Sequence, residues 1–142
     1  MTGPVVSGAI TLEDLDRQEA RMAAAFGAGD VSATRAMYDP DVVYLSPTTR
    51  VFGWPARIEG VDRALEFIQR TITGVADIAY AVDERALIPE GRGAYVRVLF
   101  DFTLDRTRLR STYVVVYRYR RGRIAQQELY YDPSGEMERL GS

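Results

Sequence analysis

The strongest structural signal in the sequence lies in residues 94–131, which read AYVRVLFDFTLDRTRLRSTYVVVYRYRRGRIAQQELYY. β-Branched and aromatic residues dominate this stretch, and its first part alternates with the period of two that places successive side chains on opposite faces of a strand. Together with the residues before it, the stretch predicts four long strands at 77–88, 94–105, 109–121 and 123–131. Turns separate these strands, so we expect an antiparallel meander; the turns are Pro89-Glu90-Gly91, Asp105-Arg106 and Arg121-Gly122.

Helical spacing is confined to the first half of the chain. A first helix is predicted after Thr11, its N-cap, because apolar residues recur at steps of three and four, with Glu19 as the one polar member of the series. Asp30 caps a short second helix, and residues 59–73 form a third. A short strand at 42–46 is expected to pair with a return strand at 50–52. Helices followed by antiparallel strands predict an α+β fold, with a flexible N-terminal arm at 1–10 and a single domain at 11–142.

The composition excludes several kinds of chemistry. The 142 residues are 46% hydrophobic and 27% charged, which is typical of one globular domain. No cysteine and no histidine occur, and all 18 basic residues are arginine. Thiol nucleophiles, thiolate or imidazole metal sites and lysine Schiff bases are therefore excluded, and we expect neither a metal nor a cofactor. The net charge of −2 and the lack of a long apolar run predict a cytoplasmic protein with no nucleic-acid or membrane partner.

Segments spread over almost the whole chain resemble proteins of the nuclear-transport-factor-2-like superfamily. Ala25-Phe26-Gly27-Ala28-Gly29-Asp30, followed by Met37-Tyr38-Asp39-Pro40-Asp41-Val42-Val43, is similar to the opening of that superfamily. Glu59 to Leu65 resembles the start of its third helix, and residues 118–124 and 130–133 resemble the last hairpin and tail of its SnoaL-like branch. The resemblance implies three N-terminal helices packed in the concave face of a strongly curved, mostly antiparallel sheet, a cone-shaped barrel.

The same resemblance implies that the acid and base positions of the superfamily are empty in this chain. The base aspartate of the ketosteroid isomerases falls at Ser46, and their second acid falls at Val115. The aspartate that SnoaL-type cyclases and limonene-epoxide-hydrolase-like enzymes use in the last strand falls at Leu129. The arginine and aspartate of those hydrolases fall at Val96 and Val98.

Alternation along the strands predicts an apolar pocket dotted with hydroxyl groups. The expected ligand-binding residues are Tyr44, Trp54, Tyr80, Val98, Phe100, Phe102, Val115, Tyr117, Gln127 and Leu129. The candidate catalytic groups are the hydroxyls of Tyr113, Tyr131 and Ser46. Such a lining suits a planar or polycyclic, weakly polar ligand. The competing interpretation is that these aromatic side chains simply fill a core.

Two carboxylates are alternative catalytic candidates. Asp101 shares a strand face with Arg97, and it is either a catalytic group or a charge on the outer face of the sheet. Asp132 is either a carboxylate at the rim of the pocket or a turn residue that starts the C-terminal segment.

Three functions fit these expectations. The first is an enzyme of secondary metabolism, of the cyclase, isomerase or dehydratase type, acting on a polyketide-like or terpenoid-like substrate through shape and hydroxyl groups. The second is a non-catalytic ligand-binding or accessory protein, and the third is a structural dimer with a filled pocket. In each case the apolar stripe of Val114 and Val116 predicts a homodimer through the outer sheet face.

Overall fold

A computed structural model describes residues 9–131 and 137–141 of the chain. The elements follow one another as α1 Leu12–Gly27, a 3₁₀ helix Val31–Met37, β1 Tyr38–Leu45, a 3₁₀ turn Thr49–Phe52, β2 Arg57–Glu59 and α2 Val61–Ile72. The meander then runs as β3 Ala76–Ile88, a 3₁₀ turn Pro89–Gly91, β4 Gly93–Leu104, β5 Thr107–Arg120 and β6 Arg123–Tyr130, with β7 Glu138–Arg139 at the end. The predicted α+β fold is confirmed, with helices against a large, curved and mostly antiparallel sheet.

The strands form one sheet in the order β2-β1-β6-β5-β4-β3, and β7 pairs with β5. β3, β4, β5 and β6 are joined by antiparallel ladders, as the meander predicts. β1 lies parallel to β6, with Tyr44 opposite Gln127. This pairing brings the N-terminal half of the chain against its last long strand and completes the wall of the cavity described below.

Local sequence explains where the helices begin. Thr11 and Asp14 form a capping box: the Thr11 Oγ1 accepts from the Asp14 N–H at 3.1 Å, and Asp14 Oδ2 accepts from the Thr11 N–H at 2.9 Å. Asp30 accepts the Ser32 N–H at 2.9 Å and caps the 3₁₀ helix Val31–Met37. None of the described helices is long and apolar enough to cross a bilayer.

The hydrophobic core lies between the helices and the concave face of the sheet. Leu15 of α1 and Phe67 of α2 are fully buried, and they belong to one cluster with the fully buried Val96, Val98 and Ile124 of the strands. These strand residues come from alternate positions, so the face that the alternation predicts as apolar is the face that the helices cover.

Two local expectations are wrong. Residues 50–52 do not form a strand: they lie in the 3₁₀ turn, which Gly53 ends at a φ of 75°. The antiparallel partner of β1 is β2, with Val43 opposite Glu59. Ile10, which was expected in a flexible arm, is buried, and its N–H donates to the Gly91 carbonyl at 2.8 Å. The rest of that arm, residues 1–8, lies outside the described residues.

Candidate functional site

A cavity of about 340 Å³ lies between the concave face of the sheet and the helices. Its volume is at the lower end of the range for sites that bind small organic molecules. Its apolar walls are formed by Met22, Phe26, Phe52, Phe67, Ile68, Ile72, Val75, Phe100, Phe102, Leu104, Val115, Leu129 and Met137. Its polar lining is provided by Tyr44, Ser46, Thr48, Thr71, Tyr80, Ser111, Tyr113, Tyr117, Gln127 and Tyr131.

The two ends of the cavity differ in exposure. Phe52, Leu104 and Met137 are exposed to solvent, so they mark the mouth. Tyr80 and Tyr117 are buried, so they mark the inner end. Apolar side chains therefore border the open end of the cavity, and phenol groups border its closed end.

Aromatic rings hold the inner wall in place. Phe26 of α1 stacks on Tyr80 of β3, with ring centroids 5.3 Å apart, and meets Phe100 of β4 edge to face at 5.4 Å. Phe100 also contacts Tyr113 at 6.1 Å. Such contacts add to the burial energy of each ring and fix the ring orientations, so the wall is an ordered aromatic surface.

The hydroxyl groups of Tyr44, Ser46 and Tyr131 lie close together on one side of the cavity, where β1 and β6 end. Burial raises the pKa of both Tyr44 and Tyr131, and the Ser46 hydroxyl beside them opposes that shift. Ser46 is itself held in place, because its Oγ accepts the Thr48 N–H at 3.2 Å. Tyr131 also contacts Tyr113, with ring centroids 6.2 Å apart. The structure thus brings together the three predicted hydroxyl groups on one wall.

Gln127 offers a hydrogen-bond donor to the cavity. Its Oε1 accepts the Tyr38 hydroxyl at 2.6 Å, which fixes the orientation of the amide. Its amide nitrogen makes no hydrogen bond within residues 9–131 and 137–141, although no polar side-chain atom that is fully enclosed there lacks a partner. The nitrogen is therefore accessible, and since Gln127 is buried and lines the cavity, that access is from the cavity.

Tyr113 also offers a hydrogen-bond donor to the cavity. Its side chain is only partly exposed and lines the cavity, and its hydroxyl has no hydrogen-bond partner in the described part of the chain. Burial raises the pKa of Tyr113 well above its ordinary value, and the neighbouring Tyr44 and Glu19 add to the shift. The phenol therefore stays protonated and is free to donate to a ligand.

A buried carboxyl lies behind the inner end of the cavity. Glu19 of α1 is only 4% exposed, and its Oε1 accepts the Tyr80 hydroxyl at 2.5 Å. Its Oε2 accepts the Tyr117 hydroxyl at 3.0 Å and the Gln18 amide at 3.1 Å. Gln18 in turn accepts the Tyr119 hydroxyl at 2.8 Å. We call these five residues the phenol–carboxyl cluster.

Burial raises the pKa of Glu19, although the hydrogen bonds from Tyr80, Gln18 and Tyr117 oppose that shift. This carboxyl was not among the sequence-predicted site residues. The available signal was its position: Glu19 is the one polar residue in the apolar series of the first helix. A charged residue at a core position is rarely buried unless it is paired, so the position pointed to partners that the linear sequence does not identify.

The structure places most of the predicted ligand-binding residues on the cavity wall: Tyr44, Tyr80, Phe100, Phe102, Val115, Tyr117, Gln127 and Leu129. Two do not line it. Val98 points to the predicted face of β4, but it is fully buried in the core. Trp54 lies against Phe67 at a centroid distance of 5.3 Å, and the guanidinium groups of Arg63 and Arg70 lie over its ring.

Asp101 is not a cavity carboxylate. Its two oxygens accept hydrogen bonds from the Arg110 guanidinium at 2.7 and 3.0 Å, and this pair holds the pKa of Asp101 below its ordinary value. Arg97, on the same strand face, pairs with Asp83 instead. The interpretation as an outer-face charge is the one that the structure supports. Asp132, the other alternative, lies outside the described residues.

The described residues do not offer an evident metal site. Within residues 9–131 and 137–141 no group of three acidic side chains is close enough to hold a metal ion. The polar groups that the cavity presents are phenols, alcohols and an amide, which donate and accept hydrogen bonds.

Comparisons with known proteins agree on the fold. Residues 20–127 match the profile of the SnoaL-like domain. No curated protein matches the sequence at a significant level.

Solved structures similar to this one come from several bacteria. A candidate isomerase of Bacillus subtilis has a TM-score of 0.72 and 19% identity over 85% of this chain and 88% of its own. A limonene-epoxide-hydrolase-like epoxide hydrolase of Mycobacterium tuberculosis has a TM-score of 0.64 and 18% identity over 84% of each chain. A candidate polyketide cyclase of Sinorhizobium meliloti has a TM-score of 0.61 and 19% identity over 82% of this chain and 98% of its own. At these identities the likeness extends to the fold and not to the activity.

Proposed function

This chain belongs to the family of SnoaL-like domains, and we propose that it is a cofactor-independent enzyme of the cyclase, isomerase or dehydratase type. The proposed substrate is a small, weakly polar ring molecule, such as a polyketide-like or terpenoid-like compound of secondary metabolism. The observation that carries the proposal is a cavity with aromatic walls whose lining includes two donors without a hydrogen-bond partner among the described residues, the Tyr113 hydroxyl and the Gln127 amide.

The lining supports this substrate class on physical grounds. Aromatic walls such as Phe26, Phe100 and Tyr113 favour a flat apolar ring, because they remove large apolar areas from water. A few fixed donors then orient the molecule and stabilise oxygen that becomes negative during reaction. The family neighbours with isomerase, epoxide hydrolase and cyclase assignments are compatible with such chemistry.

The second candidate function is a non-catalytic ligand-binding protein. Its support is that the positions expected to carry the superfamily's acids and bases hold Ser46, Val115 and Leu129, all of which line the cavity. A pocket of this kind would hold a ligand by burial and hydrogen bonds alone.

Substitution of the cavity phenols separates these two functions once a ligand has been found with a panel of polycyclic and terpenoid ketones and alcohols. Tyr113→Phe and Tyr131→Phe keep the aromatic walls and remove the hydroxyls. For an enzyme we expect kcat to fall by about 10²-fold for the variant that loses a transition-state donor, while the Kd measured by calorimetry changes little. The matched control is Tyr130→Phe, since Tyr130 is 55% exposed and does not line the cavity.

Unchanged turnover in both variants would contradict the catalytic role of these two hydroxyls, and tight binding without any turnover would support the binding protein instead. We further propose that the protein forms a homodimer through the outer face of the sheet. The support is the half-buried Val114 and Val116 on that face, next to the exposed Tyr130.

A further inference from the structure

An outer groove lies on the far side of Glu19 from the cavity. It has a volume of about 450 Å³ and is lined by residues of α1 and β3, among them Asp16, Glu19, Ala20 and Arg85. Tyr80 borders both spaces, since it lines the cavity and the groove. Glu19 and Tyr80 thus lie between the cavity and the groove.

The side chains between the two spaces are of the kinds that can pass a proton from one to the next. Tyr80 donates to Glu19 at 2.5 Å, and the other partners of the carboxyl, Tyr117 and Gln18, are also neutral donors. The nearest guanidinium in the groove, that of Arg85, is occupied by Asp16 through two hydrogen bonds of 2.7 and 3.0 Å. A carboxylate that an arginine does not neutralise keeps its capacity to bind a proton.

We propose that Tyr80 and Glu19 form a proton relay between the cavity and the outer groove, in which Tyr80 contacts the substrate and Glu19 holds the proton. This inference rests on the proposed enzymatic function and deepens it. The substrate class is a molecule with an acidic C–H next to a carbonyl group, because such a molecule only needs a proton to be removed and returned.

The step balances without any further reactant. The Tyr80 oxygen takes the proton from the substrate carbon while its own proton passes to Oε1 of Glu19, which changes from carboxylate to carboxylic acid. The C–H electron pair becomes the new carbon–carbon double bond, and the carbonyl π pair moves to oxygen. The negative charge thus moves from Glu19 to the enolate oxygen, and the Tyr113 hydroxyl and the Gln127 amide, which line the same cavity, are the donors that would stabilise it. Return of the proton to the same carbon gives exchange, and in a substrate with a C=C bond next to that carbon, return at the far end of the dienolate completes an isomerisation.

The electrostatic surroundings are consistent with this relay. Burial raises the pKa of Glu19, and Asp16 on the same helix adds to the shift. Burial and Glu19 raise the pKa of Tyr80 well above its ordinary value, so that Tyr80 passes a proton on rather than remaining a tyrosinate. The other titratable or charged groups near Glu19 are Tyr38 of β1, Tyr113, Tyr117 and Tyr119 of β5 and, across the groove, Asp83, Glu84 and Arg85 of β3.

Hydrogen exchange of a simple ketone tests the relay. The probe is 2-tetralone, a bicyclic ketone with acidic C–H groups, incubated with the protein in D₂O while deuterium incorporation is followed by NMR. We expect the wild-type protein to accelerate exchange and Glu19→Gln and Tyr80→Phe to lower the rate constant at saturation by about 10²-fold, with the Kd of 2-tetralone largely kept. The wild-type rate should also rise as Glu19 ionises with increasing pH, and Glu19→Gln should lose that dependence. Wild-type exchange rates in Glu19→Gln overturn the proposal.

The groove is tested separately with a pair of tryptophan substitutions on α1. Ala20 is exposed and lines the groove, whereas Ala24 is exposed on the same helix and lines neither space. Ala20→Trp should slow the entry of deuterium from solvent several-fold, and Ala24→Trp should not. Equal rates in the two variants overturn the route through the groove.

Infrared spectroscopy tests, without any ligand, whether Glu19 stores a proton. A carboxylic-acid C=O stretching band that persists above the usual pH range of glutamate and is lost in Glu19→Gln supports proton storage on Glu19; the absence of such a band overturns it. Failure of the wild-type protein to bind any ketone contradicts the proposed function instead. Binding without exchange leaves the ligand cavity standing and overturns the relay.

Discussion

On the outer face of the sheet Asp101 lies against the Arg110 guanidinium, whereas beneath the inner face Glu19 lies against two phenols and an amide. Both carboxyls are hydrogen-bonded at both oxygens, yet their pKa values move in opposite directions: that of Asp101 is lowered by the arginine, and that of Glu19 is raised by burial. The difference shows that the partner and the dielectric, rather than the residue type, decide whether a carboxyl is a fixed charge or a proton carrier.

The largest effect that we expect from this difference is on stability. Glu19→Ala leaves buried donors of Tyr80 and Tyr117 without their acceptor and opens a void, so at mildly acidic pH it should lower the free energy of unfolding by about 2–3 kcal/mol. Asp101→Ala removes an ion pair whose side chains are 17% and 29% exposed, and should cost less than about 1 kcal/mol. Urea denaturation of both variants measures this; equal losses would contradict the contrast between the two faces.

The contributions of Glu19 and Asp101 to stability should also depend on pH in opposite ways. Because the folded-state pKa of Glu19 is raised above 4.5, its contribution to stability is complete below the unfolded-state value and is lost as pH rises through the folded-state value. Because that of Asp101 is lowered below 3.8, its contribution is complete above the unfolded-state value and is lost as pH falls.

The measurement is the difference in unfolding free energy between the wild type and each variant as a function of pH. For Glu19→Gln the wild-type advantage should fall with rising pH, with a slope of at most about 1.4 kcal/mol per pH unit. For Asp101→Asn it should rise with pH. Slopes of the same sign would show that the two carboxyls are not distinguished in this way.

The smallest expected effect on the fold of a single subunit comes from the outer face itself. Val116→Glu places a charge among half-buried side chains that the helices do not cover, so it should convert the proposed homodimer to monomers with little loss of ligand affinity. Light scattering coupled to gel filtration measures the mass, and Arg121→Glu in the exposed β5–β6 turn is the control. A wild-type monomer at micromolar concentration would contradict the dimer.

Much of the fold was predictable because local sequence patterns, such as strand alternation and helix caps, determine it. The alternation in residues 94–131 gave β4, β5 and β6 to within a few residues, and Thr11 and Asp30 were recognised as caps. Val51 and Phe52 favour strands, so the sequence predicts a strand at residues 50–52. The turn closed by Gly53 overrides that preference, and the return strand forms later, at Arg57–Glu59.

For the site, the sequence predicts only which strand residues face the inner side of the sheet. Alternation identifies the inner face but not the depth along a strand, which is why Val98 was placed in the cavity although it is buried in the core. Trp54 carried no periodic signal, and its partners Arg63 and Arg70 are supplied by α2. Glu19 meets Tyr80 and Tyr117 at separations of 61 and 98 residues, and no spacing rule connects positions so far apart.

The parallel pairing of β1 with β6 has a consequence for the order of events during synthesis. Tyr38 and Tyr44 gain their partner Gln127 only after the last long strand has been made. A nascent chain that ends before residue 123 holds the helices and three strands of the meander, but the wall that separates the future chamber from water is missing. Pairing over such a long stretch of chain is slow compared with local folding. We therefore expect ligand capture to begin only after β6 has been synthesised and has paired with β1, and the unfinished sheet edge to be the surface that chaperones protect.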